Sequence, residues 1–118
     1  MDKKINVSEL IKNGLTESNG FLLREKIAEL LIEIEEGTII FNFRDITLFA
    51  TPFFNASIGF FVLKLGPDKF DKIFKLEEIT DLGLSTYQHS YDNAVEIYNK
   101  NMNIDLVGEI TKNNIENS

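Results

Sequence analysis

Residues 38–65 read TIIFNFRDITLFATPFFNASIGFFVLKL, and the fold follows from how this run divides. Thr38–Phe43 is β-branched or aromatic at every position but Asn42. That composition predicts a buried strand, apolar on both faces, and so an α/β sheet with cover on each side. Thr51 then reads as a helix N-cap and Pro52 as its first residue, where a missing N–H removes no intrahelical bond. From Pro52 to Leu65, Phe54, Ile58, Phe61 and Leu65 fall on one helical stripe, and Phe53 and Phe60 widen it. Gly59 in the middle costs about 1 kcal/mol against alanine and implies close approach by another backbone. Gly66 followed by Pro67 marks the end, with GPDKFDK as a helix-breaking connection.

The flanks extend the same alternation. Upstream, KKINV (3–7) reads as a short strand. Leu23, Ile27, Leu30 and Ile34 then give a helix from Phe21, capped by Ser18 or Asn19 and stopped by Gly37 in a left-handed turn. Downstream, IFKLEEI (73–79) reads as another strand. LSTYQHSYDNAVEIYNK (84–100) reads as a last helix, with Ser85 and Gln88 at capping-box spacing. Strand and helix thus alternate three times. Right-handed crossovers predict a single α/β domain over 1–102, with a small, mostly parallel or mixed sheet and helices packed on it. Residues 103–118 read as a polar, partly disordered tail.

Bulk properties narrow the function. The chain has 118 residues, enough for one core, and a formal net charge of −7. That balance opposes nucleic-acid binding and adhesion to anionic lipid, favours solubility and is compatible with a basic protein partner. No cysteine is present, which excludes disulfides and thiolate chemistry. The sequence shows no secretory signal and no apolar run of membrane-spanning length, so the expectation is a cytoplasmic protein. Seven of the ten phenylalanines lie between Phe41 and Phe61, so the core has a defined centre.

Catalytic candidates are few. His89 is the sole histidine and falls off the apolar stripe of its helix, as a solvated residue does. Glu35-Glu36 and Glu77-Glu78 are adjacent carboxylates that do not face one pocket, and Asp68 and Asp71 lack a calcium-loop frame. Phosphate-cradling glycine motifs and nucleophile elbows are missing. The expectation is a non-enzyme without cofactor or metal.

The segment IIFNFRDITLFATPFFNASIGFFV, with LLREKIAELL before it and FKLEEITDLGLSTYQHSYDNAVEIYNK after it, resembles the STAS-like domain family. These prokaryotic domains of unknown function are related in fold to anti-sigma-factor antagonist (STAS) domains. The resemblance covers about residues 5–100 and is carried most by the T-P-x-F-N-x-x-I-G run of residues 51–59. It implies a non-catalytic bacterial signalling module that binds a histidine-kinase-like ATPase or another protein partner, with a homodimer also open. In STAS antagonists the phosphorylated serine follows an Asp-Ser step at the start of this helix. Those positions fall here on Ala50, Thr51 and Pro52, and proline accepts no phosphate. The expected partner surface is therefore Thr51, Pro52, Phe53 and Asn55, with Thr51 and Ser57 as the hydroxyls open to phosphorylation. The alternative is a small-ligand sensor with a phenylalanine-rich pocket.

Overall fold

A computed structural model describes residues 2–34 and 36–116, with side chains described as far as Met102. Three strands, β1 (Lys3–Asn6), β2 (Ile39–Asn42) and β3 (Phe74–Glu77), form one parallel sheet in the order β1-β2-β3. Five helices complete it: α1 (Glu17–Glu33), α2 (Thr51–Ala56), α3 (Ile58–Leu65), α4 (Pro67–Ile73) and α5 (Asp81–Glu116). The α/β class and the parallel sheet match the sequence reading.

Cover on both faces does not. Ile5, Ile39, Phe41 and Phe74 are buried on one face of the sheet, with Phe43 just beyond the end of β2. The other face presents two rows, Lys4–Ile40–Lys75 and Asn6–Asn42–Glu77. Lys4, Asn6 and Lys75 are exposed and Ile40 is half-buried. The strand order explains the difference. Right-handed crossovers between strands laid down in sequential order return on the same side. Helices reach the second face only where the order reverses, and here it never does.

The core is a stack of phenylalanine rings. Phe41, Phe43, Phe53 and Phe54 are fully buried, each contributing about 1.5–3 kcal/mol by leaving water. Phe41 stacks on Phe74 with ring centroids 5.4 Å apart, and Phe49 on Phe54 at 5.7 Å. Tyr87 of α5 meets Phe54 edge to face. α1 packs on α2, and α5 lies across α2 and α3. The contact of α1 with α2 is close: a Cβ on Gly20 would sit 2.6 Å from the Phe53 carbonyl oxygen.

Several boundaries differ from expectation. Thr16, not Ser18 or Asn19, caps α1, its hydroxyl accepting from the Asn19 N–H at 3.1 Å. α1 ends at Glu33 with Ile34 already extended, and Gly37 uses its positive φ of 116° in the turn into β2. The long second helix is two helices, broken at Ser57 (φ −103°, ψ −89°). Pro67 starts α4 instead of a loop, because proline also suits a first helical turn and Phe70 has core to enter. α5 begins at Asp81, with the Thr80 hydroxyl accepting from the Gly83 N–H, so Ser85 and Gln88 lie inside the helix. Its backbone is helical to Glu116, across the segment read as a tail; the side chains of 103–118 lie outside the described residues.

Candidate functional site

All three strands release the chain at one edge of the sheet, so the N-termini of α1, α2 and α5 gather there. Two of the connecting loops pair with each other. Gly14 N–H donates to the Leu48 carbonyl and Ala50 N–H to the Gly14 carbonyl, both at 2.8 Å. The third element closes on the same point: a Cβ on Gly83 of α5 would lie 2.6 Å from the Phe49 ring. Phe49 is thus a buried hub between the α1, α2 and α5 approaches.

Three leucines stand immediately beside that hub in the chain and remain in solvent. Leu15 follows Gly14, Leu48 precedes Phe49, and Leu82 precedes Gly83; they are 39%, 55% and 61% exposed. Pro52 is exposed at the start of α2, and Thr51 is half-buried. Sequence reasoning missed the leucines, because no periodicity marks isolated apolar residues in loops. The available signal was their position one residue from small or aromatic hub residues.

The predicted site residues separate. Pairing with Gly14 fixes Ala50 as extended (φ −146°, ψ 153°), so Ala50 takes the cap position and makes no side-chain cap bond. Thr51 becomes the first helical residue and Pro52 the second, one position later than the sequence reading. The Phe53 side chain enters the core and supports the surface from beneath. Asn55 is exposed but faces α5: its Oδ1 accepts a hydrogen bond from Ser90 Oγ at 2.5 Å. Asn55 and Ser90 help line a groove of about 420 Å³ between α3 and α5, along with Gly59, Leu63, Ala94 and Ile97. A Cβ on Gly59 would sit 3.2 Å from the Phe54 carbonyl oxygen of α2 and 3.3 Å from Ser90 Oγ of α5, so another backbone does approach it closely. Ser57 is fully buried, its hydroxyl donating to the Phe53 carbonyl at 2.8 Å, so a kinase reaches it only after local opening.

The break at Ser57 is secured from α1. Arg24 Nε donates to the Ala56 carbonyl at 2.6 Å. Its guanidinium lies 3.8 Å from the Phe60 ring centroid and 4.6 Å from that of Phe21. One side chain therefore satisfies a carbonyl at the end of α2 and stacks on two aromatic faces.

At the same edge, Asn42 sews β2 to the exit of β3. Its amide donates to Glu78 at 2.9 Å and to Glu77 at 3.3 Å, while its oxygen accepts from the Arg44 N–H. Lys4 meets Glu77 at 2.9 Å across the open face. The Lys4 ammonium first, and the Asn42 amide after it, hold the Glu77 carboxyl below the usual carboxylate range despite some desolvation. Asn42, the polar exception in the strand, is thus a structural link. Asp45 (φ 69°) and Glu78 (φ 50°) turn the chain at the two exits in the left-handed region, at about 1–2 kcal/mol each.

The remaining titratable candidates are dispersed. His89 is exposed on α5, 3.4 Å from the Asn93 amide. Asp71 accepts from the Tyr91 hydroxyl, and Glu35 lies outside the described residues. Among the described residues, no cluster of three or more His, Asp or Glu is placed to hold a metal. No helix among them is long and apolar enough to cross a membrane. Comparison of the chain with protein-family models, with curated proteins and with solved structures returns no match.

Proposed function

We propose that the chain is a non-catalytic protein-interaction module, akin to STAS-like domains, that docks a signalling partner on the carboxyl edge of its sheet. One observation carries the reading: Leu15, Leu48 and Leu82 are exposed, each adjoining in sequence a residue of the Gly14–Phe49–Gly83 contact, at the edge where Pro52 is also exposed. Apolar side chains gathered in solvent on a small domain mark a contact surface. The strand order favours a macromolecule over a small ligand here. Open α/β sheets hold small ligands in the crevice where strand order reverses, and this sheet has no reversal.

The partner class we propose is a histidine-kinase-like ATPase. Thr51, half-buried at the helix start, is the hydroxyl we propose such a partner would modify. Calorimetric titration of the chain with a purified ATPase domain of this class tests the reading. Saturable binding is expected, weakened about tenfold or more by Leu48→Asp, in line with loss of a central apolar contact. Absence of binding, or equal affinity in the variant, overturns it.

A further inference from the structure

The charge in the same connections says what kind of surface the three leucines meet. Exposed Glu9, Glu17, Asp45, Glu78 and Asp81 lie in the loops and first helical turns of this edge. Each is close in sequence to an exposed leucine or stands in the connection leading to one. Lys12 and Arg44 are the only basic residues in the same segments. The ion pairs Lys4–Glu77, Lys26–Glu29 and Lys100–Glu96 include none of these five acids. Glu78 accepts one hydrogen bond from the Asn42 amide, which leaves its charge unneutralised. The edge therefore carries exposed leucines among acids that the fold itself does not neutralise.

Resting on the interaction-module reading, we infer that the docking element of the partner is an amphipathic helix with a leucine-type apolar stripe flanked by lysine or arginine. A second copy of this chain is the wrong occupant, because two such edges face each other with like charge. An acidic or neutral apolar segment leaves the five carboxylates opposite nothing that favours them. A basic flank pairs with them at the rim and steers the approach, while the leucines meet across the centre.

The experiment uses two synthetic amphipathic peptides of about 18 residues, five helical turns, one of leucine and lysine and one of leucine and glutamate. Titration followed by fluorescence anisotropy should show binding of the lysine peptide alone. The affinity should fall about tenfold or more as salt rises from about 0.05 M to about 0.5 M. Location is separated from net charge by two double variants of equal charge. One is Glu17→Lys with Asp81→Lys at the edge; the other is Glu25→Lys with Glu29→Lys on the exposed side of α1. Thermal melts establish that both are folded. Loss of binding confined to the edge variant, and to Leu48→Asp, supports the inference. Equal loss in the two double variants, binding of the glutamate peptide, or a concentration-dependent dimer by sedimentation overturns it. ATPase binding that is lost in Leu48→Asp but insensitive to salt keeps the module reading and removes this one.

Discussion

Arg24 carries more of the fold than its place on a polar helix face suggests. In sequence it reads as the solvated side of α1. In the structure it donates to a carbonyl that the Ser57 break leaves exposed, and it lies between two phenylalanine rings. A hydrogen bond from a charged donor and a stacked guanidinium together are worth about 2 kcal/mol. Arg24→Ala should lower unfolding stability by about that amount in urea titration. Arg24→Lys should recover less than half, because an ammonium has no planar fork to stack and donate at once. Equal stability of the lysine variant and the native chain would falsify the stacking account. Ser57 shows the same dependence on context: in sequence it reads as a hydroxyl open to phosphorylation, whereas in the structure it is buried and bonds back to the Phe53 carbonyl.

Among elements, the joint between α4 and α5 has a distinct acid–base signature. Tyr91 donates to both carboxylate oxygens of Asp71, at 3.0 and 2.9 Å. Burial first, then this hydrogen bond and the Asp71 charge, push the Tyr91 phenol up to about 12. In the unfolded chain the phenol ionises near its ordinary pKa of about 10. Between those values the unfolded state has released a proton that the folded state keeps, so stability is full below about pH 10 and falls as pH rises toward 12. Thermal melts across this range should show that fall. Tyr91→Phe should make it shallower, with Tyr87, whose phenol is also raised by burial, supplying the remainder. Identical slopes in the two proteins would remove the assignment.

What the sequence made legible at this scale follows from where the determining contacts lie. The α1 stripe was readable because burial on one side leaves a periodic trace in its own residues, and β2 because it is β-branched or aromatic at nearly every position. Thr51 was placed one position early because the cap is decided by Gly14, far away in the chain, which holds Ala50 extended. The Ser57 break was invisible because α1 and α5 stabilise it from outside, through Arg24 and Ser90. At the candidate site, Pro52 was found by its helix-start signature. The role of Phe53 was missed because the α2 stripe does not show that α1 packs on its flank and buries Phe53 as fully as Phe54.

At the scale of the whole molecule, sequential strand order leaves the sheet covered on one side and without a reversal of strand order at its carboxyl edge. The same order governs how the chain reaches this state. Each strand pair joins residues separated by a complete crossover, since Lys3 meets Ile39 and Ile39 meets Phe74. A parallel sheet built this way contains no hairpin that could nucleate locally. Helical turns form early, but the strands wait for long loops to close, and the entropy of that closure is lost before any pairing compensates it. Phe41→Leu in β2 should therefore slow refolding in stopped-flow chevrons, whereas Val95→Ala in α5 should mainly speed unfolding. Although helices make up most of the described chain, its folding clock is set by twelve strand residues.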